Sequence, residues 1–442
     1  MSDEVSNGIA GRNGVVIQKR TGDGSGFRTY EIHQRERVGE STEKIKPVEL
    51  ISENYRIDPY PVLEILRENY PFYRNWLSNN YWVTRYDDVT SIFGDDANFE
   101  SRSNAWRYGA YDLGRDLGSE LTVLAAEEAL LDGRGNEIVA QVIRRMLARP
   151  DPDLARDFAA EFAMDLLCAL FAVPEALRGQ FSGHFWNLRR GLSWRPELQQ
   201  SGKRSIEALI ELFEPLLQRR RTDPADDLVS AMAGLDIGDR EVEARDVVAT
   251  LLERDYDTMH GALANLWFLL LTHPDECVGA RADERLMKLA YLETLRHSAP
   301  VLLAERFARH EVERFGRLIP KGALLICSAA AANRDPRIFS TPDRFIVDRS
   351  DLCQREARGQ YRADGLATGI AFGLGKPSVH PAVPEDRARS RYAFSRDMAV
   401  TASMMLSDAV DELSLVGGSE PSLRSLSVGE MHTCWSLPVQ LK

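Results

Sequence analysis

The chain lacks the features that mark several common classes of protein. Its 442 residues include five cysteines without a Cys-x-x-Cys pair, so neither a disulfide framework nor a metal site of that spacing is predicted. No stretch of 18 uncharged apolar residues occurs, and the first residues lack the apolar run of a signal peptide. We therefore expect a cytoplasmic protein with no membrane association and no metal site.

Basic residues are also fewer than acidic ones. The chain has 55 Lys and Arg against 67 Asp and Glu, a formal net charge of −12. Such a charge repels phosphate backbones and anionic membrane surfaces. Nucleic acid is therefore not expected as a partner.

No Pro/Gly/Ser-rich linker or repeat divides the chain after about residue 45. The hydrophobic share of 44% suits a protein able to bury a large core. Residues 1–45 are rich in Gly, Ser and charged residues and have few apolar side chains, so they cannot offset the entropy of ordering. We predict a flexible N-terminal arm over residues 1–45 and a single domain over residues 46–442.

Hydrophobic periodicity predicts a mainly helical chain with small β-sheets, an α+β class. The region from about 124 to 272 is almost entirely helical in pattern, and its last part, 241–272, reads as one long helix. Tyr81–Thr84 has the composition of a strand, and further strands are predicted near 312–326 and 424–441. The helices would therefore dominate, with the sheets at one side.

Four motifs in the C-terminal half occur in a fixed order and spacing. The motifs are His273-Pro274-Asp275, Glu293-x-x-Arg296, Ile319-Pro320-Lys321-Gly322 and Asn333-Arg334-Asp335-Pro336. Together they resemble the C-terminal half of a cytochrome P450, and the likeness extends from about Ile57 to the end of the chain. The resemblance implies a cytochrome P450 fold.

The Glu-x-x-Arg motif carries a structural implication. By the resemblance, Glu293 and Arg296 form a buried ion network with Arg344, and this network serves folding rather than turnover. Taken alone, the spacing also fits an exposed pair three residues apart on a helix.

The loop that would carry the haem ligand lacks its cysteine. In the resembled family this loop reads Phe-Gly-x-Gly-x-His-x-Cys-x-Gly, and the thiolate is the axial ligand of the iron. Here residues 372–380 read Phe-Gly-Leu-Gly-Lys-Pro-Ser-Val-His. Val379 stands in the place of the cysteine, and Pro377, which has no side-chain donor, in the place of the histidine.

Other positions that hold haem in the family are altered as well. The resemblance places Asn136 and Ala140 where a histidine and an arginine bind a haem propionate. Arg306 keeps the place of a further propionate-binding arginine. The segment that would bind oxygen keeps an acid and an alcohol, Asp257 and Thr258, but its small residue pair is replaced by two charged residues, Arg254 and Asp255.

These losses lead us to expect a haem-free pseudoenzyme with no cofactor and no catalytic residues. It resembles the P450-like helper proteins that bind and stabilise deoxysugar glycosyltransferases in antibiotic pathways. The implied partner is therefore a protein, and by this looser likeness a glycosyltransferase.

An enzyme remains the alternative. One form is a haem oxidoreductase that uses His380 as its iron ligand, Arg306 as a propionate anchor, and Asp257 with Thr258 as a proton relay. The other form is a haem-free catalyst that uses the emptied pocket. A phosphate-binding loop at residues 370–378 is excluded, because Ile370 replaces its first glycine.

Overall fold

The structure is a computed structural model that describes residues 9–10, 16–21, 28–33, 45–109, 111, 113–193, 195–254, 256–352, 369–371, 391–426 and 431–441. Helices make up most of this part of the chain and small sheets lie beside them, which confirms the predicted α+β class. The α-helices are α1 (Glu53–Ile57), α2 (Tyr60–Asn69), α3 (Tyr86–Phe93), α4 (Leu121–Leu147), α5 (Glu161–Leu170), α6 (Arg178–Arg190), α7 (Pro196–Thr222), α8 (Leu228–Ala233), α9 (Ala244–Leu252), α10 (Tyr256–Thr272), α11 (Pro274–Ala282), α12 (Glu284–His297), α13 (Ala329–Ala332) and α14 (Arg391–Ala409).

Short helices of other types join these elements. One 3-10 helix precedes α4, and a π-helix leads into α5. The 3-10 helices are Pro47–Ile51, Asn104–Tyr108 and Glu175–Leu177, and a π-helix spans Leu154–Ala160.

The strands form several small sheets. The largest has the order β4-β5-β10-β7-β6; β5 and β10 run parallel, and the other neighbours are antiparallel. Two-stranded antiparallel pairs join β8 to β9, β11 to β14 and β12 to β13. The strands are β1 (Ile9–Ala10), β2 (Val16–Thr21), β3 (Arg28–His33), β4 (Phe72–Asn75), β5 (Asn80–Val83), β6 (Phe99–Glu100), β7 (Leu303–Ala308), β8 (Val312–Arg314), β9 (Arg317–Ile319), β10 (Leu324–Ser328), β11 (Leu413–Leu415), β12 (Leu423–Ser425), β13 (His432–Cys434) and β14 (Val439–Leu441).

The N-terminal region contains secondary structure that its composition does not predict. β1, β2 and β3 pair antiparallel, with Val16 opposite His33 and Thr21 opposite Arg28. β2 and β3 hold several β-branched residues, which favour strands. A composition averaged over 45 residues hides such short runs. The division of the chain at residue 45 stays a prediction.

The long helix predicted over 241–272 is divided in the structure. α9 ends at Leu252 and α10 begins at Tyr256. Between them Arg254 turns its side chain into the protein, where it pairs with Glu127 of α4. A periodic apolar pattern does not reveal such a contact, because its partner is more than a hundred residues away.

Helix α10 lies at the centre of the core. Trp267 in its middle is completely buried, and α10 packs against α5, α12 and the π-helix. Among the residues described, no helix combines the length and the apolar character that crossing a membrane requires.

Candidate functional site

The break between α9 and α10 contains a buried ion pair. Arg254 is 0% exposed and Glu127 is 1% exposed, and their NH1 and Oε2 atoms lie 3.0 Å apart. The Tyr256 hydroxyl donates to Glu127 Oε1 over 2.9 Å. The guanidinium Nε and NH2 atoms of Arg254 find no hydrogen-bond partner within the described structure. The segment that would bind oxygen therefore directs a charged side chain into the protein, toward α4, and Asp255 lies outside the described residues.

Asp257 and Thr258 lie in the first turn of α10, directly after this break. Asp257 Oδ2 accepts a hydrogen bond from Arg189 Nε of α6 over 2.9 Å, and both side chains are largely buried. Arg189 also donates through NH1 to the carbonyl of Leu252 over 2.8 Å. Sequence reasoning missed Arg189, because this residue lies 68 positions before Asp257 and belongs to no recognised motif.

The second oxygen of Asp257 is differently placed. Asp257 Oδ1 is buried and has no hydrogen-bond partner among the residues described. A buried carboxylate oxygen without a donor is energetically unfavourable. Asp257, the acid of the predicted relay, is thus hydrogen-bonded through Oδ2 and has no partner at Oδ1 within the described structure.

Arg306 on β7 is a cation without an anionic partner among the described residues. Its guanidinium lies over the ring of Phe93 at 4.6 Å, and its NH1 donates to the carbonyl of Glu305 over 2.8 Å. No carboxylate of the described chain lies within ion-pair distance of it. Burial lowers the pKa of Arg306 below its usual value. An incoming carboxylate would offset that desolvation.

The two propionate positions on α4 offer no such cation. Asn136 is exposed and Ala140 is partly buried. One residue before Asn136, the backbone of Gly135 approaches Met398 of α14 so closely that a Cβ atom there would lie 2.9 Å from the Met398 sulfur. α4 and α14 therefore pack directly on one another at this point.

The loop positions Pro377, Val379 and His380 lie outside the described residues. The described structure holds four free cysteines, Cys168, Cys277, Cys327 and Cys434, all of them buried. Burial raises the pKa of the Cys168, Cys327 and Cys434 thiols to about 12.

The predicted ion network has a different third member. Glu293 and Arg296 pair at 2.7 Å and both are fully buried. The second guanidinium belongs to Arg349, whose NH1 lies 3.2 Å from Glu293 Oε1. The choice of Arg344 was wrong, because Arg344 contributes only its carbonyl, which accepts from Arg296 NH2 over 3.1 Å. The backbone also contacts the pair at Ile346, whose amide donates to Glu293 Oε1 over 3.1 Å.

With this geometry established, comparison with known proteins gives the class of the fold. The structure aligns with the Bacillus subtilis bacillaene polyketide synthase cytochrome P450 PksS at a TM-score of 0.71 and 19% identity, over 90% of this chain and all of PksS. P450BioI, solved in complex with a fatty-acid-ligated acyl carrier protein, aligns at a TM-score of 0.70 and 22% identity, over 88% of this chain and all of that one. The fold is therefore that of a cytochrome P450, as predicted.

Sequence comparison points to the same family. The cytochrome P450 family model matches residues 278–362. The chain is 27% identical to 6-deoxyerythronolide B hydroxylase of Saccharopolyspora erythraea over 402 residues, which cover 83% of this chain and 96% of that enzyme. These matches support membership of the cytochrome P450 superfamily.

The comparisons also correct one expectation. We expected no cofactor, and this was wrong: the matching family and its relatives are cytochromes P450, whose cofactor is haem. The expectation failed because it took the altered ligand, propionate and oxygen-binding positions together as a sign that haem is lost.

Among the described residues, the fit to haem can be tested best at Arg306. A half-buried guanidinium without a carboxylate partner matches the carboxylate edge of the group. Two other positions that would contact haem differ from the family pattern. Val379 stands in the place of the cysteine that supplies the thiolate, and the Arg254–Glu127 pair lies at the segment that would bind oxygen. Arg306 is thus the residue of the described structure that fits haem.

Proposed function

We propose that the chain is a haem-binding oxidoreductase of the cytochrome P450 superfamily whose iron ligand is not a cysteine thiolate, and that it acts on a small organic substrate. The observation that carries this proposal is the pair Asp257 and Thr258 at the start of α10, with Asp257 held by Arg189. The name of 6-deoxyerythronolide B hydroxylase suggests hydroxylation as the reaction.

Arg306 would hold a propionate of the cofactor. When bound, haem would supply the iron for oxygen chemistry. His380 is the one imidazole in the loop sequence 372–390 and is our choice for the ligand.

Asp257 and Thr258 would handle protons in this reaction. Asp257 Oδ1 is buried without a partner in the described chain, and the Thr258 hydroxyl follows it in the same helical turn. Arg189 keeps the other oxygen of Asp257 in place. Oδ1 would therefore be the oxygen of Asp257 that takes part in proton transfer.

The Arg254–Glu127 pair would exclude water from this interior. Both side chains are buried, and Tyr256 closes the cluster by donating to Glu127. A dry site strengthens the electrostatic effect of every charge in it.

An absorption spectrum of the purified chain during titration with haemin tests the proposal. We expect a Soret band at one haem per chain and weaker binding by an Arg306→Met variant. A His380→Ala variant should shift the band, since it would remove the ligand. A spectrum that equals that of free haemin at every point of the titration would reject the proposal.

Activation of a protein partner is the second candidate function. The buried Arg254–Glu127 pair favours it, because it fills the segment where the family binds oxygen, and the loop has lost its cysteine. P450BioI binds an acyl carrier protein, so a fold of this kind can dock a protein. The implied partner is a deoxysugar glycosyltransferase.

Coexpression with a glycosyltransferase encoded beside the chain distinguishes the two functions. Under the second function, the chain copurifies with the transferase and raises its activity, and an Asp257→Asn variant does so equally. Under the first function, Asp257→Asn abolishes turnover and the transferase is unaffected.

A further inference from the structure

Tyr108 connects the segment before α4 to the end of α6. It ends the 3-10 helix Asn104–Tyr108 and is only 1% exposed. Its hydroxyl donates to the carbonyl of Leu188. Leu188 lies in the last turn of α6, where helix carbonyls lack a donor from their own helix. Tyr108 thus caps α6 from outside.

Two glycines form the socket that receives the Tyr108 ring. A Cβ atom at Gly202, inside α7, would lie 2.7 Å from Tyr108 Cε1 and 2.9 Å from its Cζ. A Cβ atom at Gly191, just after α6, would lie 3.0 Å from Tyr108 Cζ and 2.9 Å from the Gly202 Cα. Glycine is unfavourable in the interior of a helix. The close approach of Tyr108 accounts for its presence at position 202.

The same segment also contacts the break between α9 and α10. Asn104 Nδ2 donates to the carbonyl of Leu252 over 3.2 Å, and the Ala105 amide donates to Glu253 Oε1 over 3.3 Å. Arg189 donates to the same Leu252 carbonyl over 2.8 Å. The 3-10 helix and α6 therefore meet at one backbone atom of the break.

We propose that Tyr108 is a positioning residue for the candidate site. By fixing the carbonyl of Leu188 and filling the Gly191–Gly202 socket, it holds the next residue, Arg189, against Asp257. The role of Asp257 rests on the proposed function, whereas the contact made by Tyr108 is testable without substrate or cofactor.

Hydrogen–deuterium exchange of the full chain, read by mass spectrometry, is the first test. A Tyr108→Phe variant keeps the ring and loses the hydroxyl. We expect roughly tenfold faster exchange over residues 186–193 and 252–258, the fold-change that corresponds to loss of one buried hydrogen bond. Exchange that changes only within residues 104–108, or nowhere, would overturn the proposal.

Glycine substitution gives a matched second test. Gly202→Ala should lower the melting temperature, because its methyl group would collide with Tyr108. Gly183→Ala in α6 is the control, since a Cβ atom there meets nothing within 4 Å. In a Tyr108→Ala background, Gly202→Ala should no longer lower the melting temperature and should raise it, because alanine favours the helix. An equal loss in both backgrounds would contradict the socket.

Positioning also predicts an effect that a purely structural contact would not have. Arg189→Gln and Asp257→Asn should shift the melting temperature non-additively in the natural chain, because the two side chains are paired. With Tyr108→Phe present, the shifts should become additive. Unchanged non-additivity would leave Tyr108 a structural residue only and overturn the proposal. A chain that fails to bind haemin but passes this test loses the proposed function and keeps the Tyr108 contact.

Discussion

Arg254 and Glu127 form an ion pair whose members are both buried, with 3.0 Å between NH1 and Oε2. The pair joins α4 to the break between α9 and α10. Removing one member of a buried pair leaves the other charge desolvated, whereas replacing both by neutral residues is often nearly neutral. The two kinds of change should therefore differ sharply.

We expect Arg254→Met to lower the free energy of unfolding by about 3–5 kcal/mol. The double variant Arg254→Met, Glu127→Gln should recover most of this loss, because the glutamine carbonyl can still accept from Tyr256. Urea unfolding of the two variants beside the natural chain measures both values. A double variant no more stable than Arg254→Met would show that the pair does not act as a unit.

The ion network at Glu293 gives a second prediction with a built-in control. Arg349→Met removes a guanidinium that contacts Glu293 at 3.2 Å and should cost about 3 kcal/mol. Arg344→Met leaves its carbonyl in place and should cost less than about 0.5 kcal/mol, as for other substitutions away from buried contacts. Equal losses in thermal unfolding would refute the assignment of Arg349.

Local spacing predicted one part of this network and could not predict the other. Glu293 and Arg296 are three residues apart on one helix, so their contact follows from helical geometry. Arg349 reaches them because residues 344–349 pass beside the pair, where the Ile346 amide also donates to Glu293 Oε1. Local spacing carries no record of this long-range contact. Arg344 was chosen because it occupies the arginine position of the family's Pro-x-Arg-Phe element, and the choice was wrong.

Prediction of the candidate site from the sequence was limited in the same way. Helix periodicity and family spacing placed Asp257 and Thr258 on a helix, and they are there. Arg189, the partner of Asp257, lies on α6, and Glu127, the partner of Arg254, lies on α4. Both are far from their partners in sequence. Their contacts depend on how helices pack. Composition and periodicity do not determine this packing.

Buried histidines should make the stability depend on pH. His260 is 4% exposed between the rings of Trp186 and Trp435, and burial lowers its pKa to about 4. The unfolded chain, in which the pKa is about 6.5, binds more protons between these values. The contribution of His260 to the free energy of unfolding is therefore fully present above about pH 6.5 and is lost as the pH drops toward about 4.

His260 should account for up to about 3 kcal/mol of this fall, since each pKa unit corresponds to 1.36 kcal/mol. A His260→Leu variant should show a flatter dependence when urea midpoints are compared at pH 7 and pH 5. His310, an exposed residue, provides the control through His310→Gln. If His260→Leu and the natural chain lose stability in parallel, another group is responsible.

Gly261 of α10 gives the last prediction, because its backbone lies against the segment that leads into β13. A Cβ atom there would lie 2.7 Å from Pro300 Cβ and would overlap the sulfur of Met431. Gly261→Ala should therefore lower the free energy of unfolding by about 1–3 kcal/mol, the usual cost of overpacking. Gly133→Ala in α4 meets nothing within 4 Å and should stabilise the chain by about 0.5–1 kcal/mol through helix propensity. Thermal unfolding of both variants measures the difference, and a stabilising Gly261→Ala would mean that α10 does not approach Pro300 and Met431 this closely.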